Sequence, residues 1–117
     1  MTLYGISNCD TVRKARNWLA AHDISFEFYD YRLEGISDEK IKGWLTQVPL
    51  EKLLNKASTT FRELPDREKE SVAKKPAAIR IMIKNPTIIK RPVLEDEQGR
   101  ILAVGFREET YRELFDR

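Results

Sequence analysis

The amino-acid sequence predicts an α/β fold in which a β-α-β unit, a block of helices and a β-β-α unit follow one another. Three observations support this prediction. Residues 2–31 show strand, helix and strand patterns in turn, residues 37–84 repeat apolar side chains at helical spacing, and residues 87–115 show short strands and a final helix. The chain has 117 residues, 41% of them hydrophobic and 34% charged, so it is long enough for one domain with its own core.

The β-α-β unit begins with a short strand over residues 2–6. Residues 10–21 predict a helix, because their apolar side chains recur at spacings that share one helix face. The residues of that face are Val12, Ala15 and Leu19. Residues 25–31 are rich in aromatic side chains that alternate with polar ones, and they predict a second strand. Short connections in such a unit favour parallel strands with a right-handed crossover.

The middle block, residues 37–84, is predicted to be helical. Ser37 is a suitable N-cap because two acidic residues follow it, and Pro49 ends the first helical run. The apolar face of that run consists of Ile41, Trp44, Leu45 and Val48. The other predictions for the block are a helical turn at 50–54, a loop at 55–65, a helix at 66–73 that Asp66 caps, and a helix at 76–84 that Pro76 begins.

The last part of the chain predicts the β-β-α unit. We expect short strands at 87–89 and 93–95, a turn at 96–99, a return strand at 100–104, and a helix at 108–115 with Tyr111, Leu114 and Phe115 on one face. A β-α-β unit followed by a β-β-α unit is the thioredoxin-like arrangement with a mixed four-stranded sheet. We therefore expect a single thioredoxin-like domain over residues 1–117, with a helical insertion at about residues 37–84.

Composition excludes several classes of function. Lys plus Arg number 21 and Asp plus Glu number 19, and this balance gives no support to nucleic-acid binding through overall charge, with a local basic patch as the alternative; we expect no direct nucleic-acid partner. The sequence contains no run of about 18 apolar residues, so no membrane span is predicted. The N-terminus lacks a signal-peptide pattern, and we therefore expect a cytoplasmic protein without membrane partners. One cysteine and one histidine exclude an internal disulfide and metal sites built from several of either residue, so no metal is expected.

Cys9 is the candidate nucleophile because it lies where the first strand meets the first helix. The unpaired N–H groups and the positive end of the helix dipole at this place favour a thiolate over a thiol. Arg13, one turn further on, adds to the effect, whereas the adjacent Asp10 opposes it. The alternative is that Cys9 is an inert buried side chain, as many free cysteines are.

Two other segments contain candidates for the same site. Arg91-Pro92 precedes a strand in the second half of the fold, where a proline can be cis and lie against the thiol. The alternative for Pro92 is an ordinary proline at the start of a strand. Arg62 lies in the polar loop, and its guanidinium is suited to a carboxylate or an oxyanion. The alternative for Arg62 is a solvated surface arginine.

Four stretches, in order along nearly the whole chain, resemble one known family. They are YGISNCDTVRKAR at 4–16, LLNKASTTFREL at 53–64, KNPTIIKRPV at 84–93 and VGFREETY at 104–111. Together they resemble the arsenate reductase/Spx family of thioredoxin-like proteins, most closely its small YffB-like branch. The resemblance implies that Cys9 matches the catalytic cysteine of that family. It also implies that Arg62 and Arg91 match two of the three arginines that hold the oxyanion in arsenate reductases.

Other positions depart from the reductase pattern. Arg107 is near the expected place of the third arginine, but the residues around it resemble the YffB/Spx ending instead. The Ser7-Asn8 pair replaces a histidine-containing motif before the cysteine. Spx-type regulators, which bind RNA polymerase, often carry a C-x-x-C switch, and Val12 takes the place of its second cysteine here. The candidate substrate-binding residues are Asn8, Arg13, Arg62, Arg91 and Pro92.

The leading functional hypothesis is a glutathione-dependent monothiol oxidoreductase, with thiol–disulfide or arsenate-reductase-like chemistry. Its substrate would be a disulfide or a small oxyanion, its co-substrate glutathione and its protein partner glutaredoxin, with no bound cofactor. The alternative is a non-catalytic protein-binding or transcription-regulatory module of the Spx type. We expect a monomer, because the predicted apolar faces can all be buried inside one core.

Overall fold

The structure is a computed structural model that describes residues 1–116. In chain order the elements are β1 (Thr2–Gly5), α1 (Asp10–Ala21), β2 (Glu27–Asp30), α2 (Tyr31–Glu34), α3 (Asp38–Leu45), α4 (Leu50–Leu53), α5 (Thr59–Arg62), α6 (Asp66–Ser71), α7 (Lys75–Lys84), a 3₁₀ turn (Pro86–Ile88), β3 (Val93–Glu95), β4 (Ile101–Val104) and α8 (Glu108–Phe115). The chain divides into two compact units, of which the first is Met1–Glu34 with Arg91 onward and the second is Gly35–Lys90. The expectation of one domain over the whole chain stays a prediction.

The sheet of the first unit has the strand order β2-β1-β3-β4. β1 and β2 run parallel with Gly5 opposite Asp30, whereas β1 with β3 and β3 with β4 are antiparallel. This mixed four-stranded sheet confirms the predicted fold class, and β3–β4 is the predicted hairpin. The carboxyl ends of two parallel strands lie at the same edge of a sheet. The loop that leads from β1 to Cys9 and the residues that follow β2 therefore lie close together.

α1 packs against the sheet through the face that its periodicity predicts. The buried core cluster of the first unit is formed by Leu3, Ala15, Trp18, Leu19, Leu94 and Tyr111. Burying an aliphatic or aromatic side chain of this kind stabilises the fold by about 1.5–3 kcal/mol. Contacts with strand residues on both β1 and β3 hold α1 in place. The first turn of α1, which Cys9 precedes, therefore has a defined position relative to the end of β1.

The second unit contains α3 to α7. Ser37 caps α3 as predicted, because its Oγ accepts a hydrogen bond from the N–H of Lys40 at 3.0 Å. The buried residues of α3 are Ile41, Trp44 and Leu45. α7 packs against α3. The predicted starts of two helices were wrong by one position, because Pro76 is the second residue of α7 and Asp66 is the first residue of α6 rather than its cap.

Residues 87–89 do not form the predicted strand. Pro86 begins a 3₁₀ turn, because the proline ring holds φ at a helical value and has no N–H to contribute to a ladder. Ile89 then makes a single antiparallel bridge with Leu54. The two isoleucines of this segment are instead buried within the second unit, where Ile88 and Ile89 are 0% exposed.

The loop predicted at 55–65 contains a short helix, α5. Ser58 caps this helix, since its Oγ accepts a hydrogen bond from the N–H of Phe61 at 3.2 Å. Phe61 is buried, and its burial outweighs the low helix propensity of the threonines beside it. Burial of Phe61 and the local Ser58 cap therefore act together to form this element.

The strand predicted at 25–31 is shorter than expected and ends at Asp30. Oδ1 of Asp30 accepts hydrogen bonds from the N–H groups of Arg32 at 2.9 Å and Leu33 at 3.2 Å, which is the N-cap pattern. Tyr31 is therefore the first residue of a helix, α2, and not the last residue of a strand.

The closing helix, α8, has the predicted bounds. Tyr111 is buried and Phe115 half-buried, but Leu114, predicted on the same face, is 39% exposed. Within residues 1–116, none of the helices combines the length and the apolar character needed to span a bilayer.

Candidate active site

Cys9 occupies the N-cap position of α1 and is half-buried. Its backbone is extended, and its carbonyl accepts the first hydrogen bond of the helix from the N–H of Arg13 at 2.9 Å. The backbone N–H groups of Thr11 and Val12 interact with the sulfur. The side chain thus lies at the positive end of the helix, as predicted.

The guanidinium of Arg91 also interacts with the same sulfur. Partial burial raises the pKa of the Cys9 thiol, but the N–H of Val12, the Arg91 guanidinium and the N–H of Thr11 together lower the pKa below its ordinary value. At a given pH, the thiolate fraction of Cys9 is therefore larger than that of an ordinary cysteine. A cysteine in this environment differs from a buried cysteine in apolar surroundings, whose pKa is raised.

Strand β3, which begins two residues after Arg91, places Arg91 near Cys9. The Arg91–Pro92 peptide bond is cis, and Pro92 is buried. The carbonyl of Pro92 accepts a hydrogen bond from the N–H of Gly105 at 2.8 Å, which extends the β3–β4 pairing by one step. β3 lies next to β1 in the sheet, so the residues just before β3 lie at the edge where β1 ends.

Two residues that sequence reasoning did not select complete this environment. Tyr31 is fully buried, and its phenol interacts electrostatically with both Arg91 and Cys9. Asp30 is 9% exposed, and its Oδ2 accepts a hydrogen bond from the N–H of Ser7 at 3.0 Å. Asp30 therefore ties the loop before Cys9 to the end of β2. An aspartate between a strand and a helical turn is an N-cap signal, which was available in the sequence, whereas Tyr31 has no such local signal.

Burial raises the pKa of Asp30, but the backbone N–H groups of Ser7, Leu33 and Arg32 outweigh burial and lower the pKa below its ordinary value. Asp30 is therefore an anion at neutral pH. Both carboxylate oxygens of Asp30 accept hydrogen bonds from backbone N–H groups, and these bonds stabilise its negative charge.

Asn8 and Arg13, predicted to bind substrate, are exposed. Asn8 lies in the turn immediately before Cys9. The guanidinium of Arg13 forms an ion pair with the carboxylate of Asp10 at 2.7 Å. The charges of Arg13 and Asp10, which act on Cys9 in opposite directions, therefore pair with each other. Substrate binding by Asn8 and Arg13 stays a prediction.

Arg62 and Arg107 lie elsewhere in the chain. Arg62 is the last residue of α5 in the second unit and is exposed. Arg107 is the N-cap residue of α8 in the first unit and is also exposed. Their roles stay predictions. In the part of the chain that the structure describes, no group of three or more His, Cys, Asp and Glu residues is placed to hold a metal ion.

Comparison with known proteins adds to this geometry. The model of the ArsC family matches residues 4–114. The chain belongs to the ArsC family. A solved structure of the YFFB protein shares 40% identity, with a TM-score of 0.87 and coverage of 96% of each chain. The structure of an arsenate reductase (ArsC) related protein from Brucella melitensis shares 44% identity, with a TM-score of 0.76, over 99% of this chain and 94% of that one.

A transcriptional regulator is also similar to this chain. The global transcriptional regulator Spx of Lactiplantibacillus plantarum is 31% identical over 98% of this chain and 86% of its own length. These matches confirm the resemblance to the arsenate reductase/Spx family and to YffB. Membership of the ArsC family is compatible with an oxidoreductase and with a regulator. The chemistry of the residues around Cys9 must therefore decide between these two functions.

Proposed function

We propose that this ArsC-family protein is a glutathione-dependent monothiol oxidoreductase with Cys9 as its nucleophile. The observation that supports the proposal most directly is the sulfur of Cys9 at the start of α1, where the Val12 N–H and the Arg91 guanidinium interact with it. Both groups lower the pKa of the thiol and so increase the thiolate fraction at neutral pH. The thiolate is the form that attacks disulfides and other electrophiles.

The proposed reaction has two exchange steps. The Cys9 thiolate attacks one sulfur of a substrate disulfide, the substrate S–S bond breaks, and the departing thiolate takes the electron pair and then a proton. This step leaves Cys9 in a mixed disulfide. Because the chain contains one cysteine, an external thiol must attack the mixed disulfide and release the Cys9 thiolate.

Glutathione suits the second step because it is an abundant thiol with carboxylate groups that an arginine can bind. The positive charge of Arg91 lies beside the sulfur of Cys9, so it stabilises the Cys9 thiolate both before attack and when the mixed disulfide is resolved. The same group therefore serves both exchange steps.

Replacement of the nucleophile tests the proposal. Cys9→Ser should abolish the glutathione-dependent reduction of a model disulfide, because a serine hydroxyl is not ionised at neutral pH. The assay follows reduction of hydroxyethyl disulfide by glutathione, coupled to glutathione reductase. Thermal unfolding of the variant checks that its fold is intact, and full activity in a folded Cys9→Ser variant would exclude the mechanism.

Arsenate reduction is a narrower form of the same proposal. It is supported by the similarity to the arsenate reductase (ArsC) related protein. In this form the Cys9 thiolate forms an S–As bond with arsenate, an As–O bond breaks and the oxygen leaves as water. Two external thiols then supply the two electrons that reduce arsenic and leave as a disulfide, and the S–As bond breaks to release arsenite and the Cys9 thiolate. Turnover of arsenate with glutathione and glutaredoxin present is the expected result, and its absence would eliminate this substrate.

A non-catalytic protein-binding module is the second candidate function. It is supported by the 31% sequence identity with the Spx regulator over 98% of this chain. It predicts stable binding to RNA polymerase that Cys9→Ala leaves unchanged. Co-elution of the purified chain with RNA polymerase on size-exclusion chromatography would favour this candidate. Separate elution, together with thiol-dependent turnover, would favour the oxidoreductase.

A further inference from the structure

Tyr31 is held in a fixed position beside the loop that contains Cys9. Its backbone begins α2, where Asp30 caps the helix through the N–H groups of Arg32 and Leu33. β2 pairs in parallel with β1 up to the Asp30–Gly5 pair. The same Asp30 carboxylate binds the N–H of Ser7. These hydrogen bonds fix the start of α2 relative to the segment that leads to Cys9.

The side chain of Tyr31 is directed at the candidate site. It is 0% exposed, and its hydroxyl forms a hydrogen bond with the guanidinium of Arg91, which in turn interacts with the sulfur of Cys9. Burial raises the pKa of Tyr31 above its ordinary value, so the phenol is neutral at physiological pH. A neutral phenol oxygen accepts a hydrogen bond from a guanidinium without cancelling its positive charge.

We propose that Tyr31 is a positioning residue that holds the guanidinium of Arg91 against the sulfur of Cys9. The inference rests on the proposed function of Cys9 as a nucleophile. An arginine side chain has several rotatable bonds and loses conformational entropy when it is held in one geometry. A hydrogen bond that the guanidinium donates to a buried, rigid phenol oxygen restricts those rotations, so that the positive charge remains beside the thiolate.

The other charged groups near Cys9 in the first unit do not have this function. Asp10 and Arg13, in the helix that Cys9 precedes, form an exposed ion pair with each other. The carboxylate of Asp30 binds backbone N–H groups. Arg91, from the segment before β3, is the cation that interacts with the sulfur, and the phenol of Tyr31 in α2 contacts that cation.

A purely structural role for Tyr31 would depend on its ring and not on its hydroxyl. Tyr111 is a matched control for this distinction. It is also 0% exposed and belongs to the first unit, and its hydroxyl has no hydrogen-bond partner among residues 1–116. Tyr31→Phe and Tyr111→Phe remove the same atom from two equally buried rings.

The test measures the titration of the Cys9 thiol in wild type, Tyr31→Phe and Tyr111→Phe. Thiolate absorbance near 240 nm and the iodoacetamide alkylation rate are recorded against pH, with thermal unfolding as a control for folding. Tyr31→Phe should raise the pKa of Cys9 and slow alkylation at neutral pH by about threefold to tenfold, since one pKa unit changes the thiolate fraction about tenfold. Alkylation at high pH should be unchanged, and Tyr111→Phe should match wild type.

Two results would overturn the assignment of Tyr31: a titration curve of Tyr31→Phe that coincides with that of wild type, or equal shifts in both variants. An unshifted pKa in wild type would contradict the proposed function itself, which is a distinguishable result. If Tyr31→Phe does not fold, NMR of the wild-type Arg91 guanidinium decides instead. Slow rotation about the Nε–Cζ bond of Arg91 supports the proposal, and rotation as fast as that of the exposed Arg13 overturns it.

Discussion

At the residue scale, the reactivity of Cys9 depends on the balance between burial and nearby donors. Burial raises the pKa of the thiol, whereas the Val12 N–H, the Arg91 guanidinium and the Thr11 N–H lower it by more. The exposed ion pair of Asp10 with Arg13 adds little, because opposite charges 2.7 Å apart largely cancel and water screens both. Arg91 is therefore the side chain whose charge most favours the thiolate.

The hydrogen bonds of Asp30 lead to a testable prediction about stability. Asp30→Asn should lower the free energy of unfolding at neutral pH by about 1–2 kcal/mol, because an amide is a weaker acceptor for the N–H groups of Ser7, Arg32 and Leu33. Urea unfolding of wild type and variant at several pH values measures the difference.

The pH dependence of that difference follows from the lowered pKa of Asp30. A carboxylate with a lower pKa in the folded state stabilises the fold fully above its unfolded pKa of about 4, and the stabilisation is lost as pH falls from there through the folded pKa. The gap between wild type and Asp30→Asn should therefore narrow as the pH is lowered below about 4. A gap that is constant or widens on acidification would contradict the role given to Asp30.

At the element scale, the placement of Cys9 depends on the close approach of β1 to α1. A Cβ on Gly5 would lie 2.8 Å from Cγ2 of Val12. Val12 is fully buried and β-branched, so its side chain has little freedom to turn away. We predict that Gly5→Ala lowers the free energy of unfolding by about 1–3 kcal/mol, as overpacking in a core does. Chemical denaturation measures this effect.

Gly43 supplies the matched control for Gly5→Ala. It lies inside α3, and a Cβ there would meet no atom within 4 Å. Gly43→Ala should raise the free energy of unfolding by about 0.5–1 kcal/mol, because alanine favours the helix. Equal effects of the two substitutions would show that the contact between Gly5 and Val12 does not constrain the packing.

The elements that could be predicted from the sequence have strong local signals. α1 and α8 have a regular apolar face, and α3 adds a serine cap that the structure confirms. α5 and the 3₁₀ turn were not predicted, because burial of Phe61 and Ile88 and the geometry of Pro86 outweigh local propensities there. Interactions with residues distant in sequence determine such segments, and a pattern of neighbouring residues does not contain them.

At the scale of the whole molecule, the environment of Cys9 is assembled from three separate segments. They are the start of α1, the start of α2 and the residues before β3. Cys9 and Arg91 could be selected from the sequence because helix starts and X-Pro pairs have known chemistry. Tyr31 could not, since its role depends on the order β2-β1-β3, which brings α2 and Arg91 to the same edge of the sheet.

The chain contains a single cysteine, and this limits how a covalent intermediate at Cys9 can be resolved. With one thiol, every covalent intermediate at Cys9 must be resolved by a second molecule. Formation and resolution of the mixed disulfide both depend on the fraction of Cys9 that is thiolate. The thiol pKa of the intact protein is therefore the quantity on which the oxidoreductase proposal depends.

The most direct test of the proposal is the alkylation rate of Cys9 in the intact wild-type protein against pH, with and without glutathione disulfide as a competing ligand. We predict that the rate titrates with a pKa below the ordinary thiol value of about 8.5 and that glutathione disulfide protects Cys9. Slow alkylation that titrates at or above about 8.5 and is unaffected by glutathione disulfide would contradict the account.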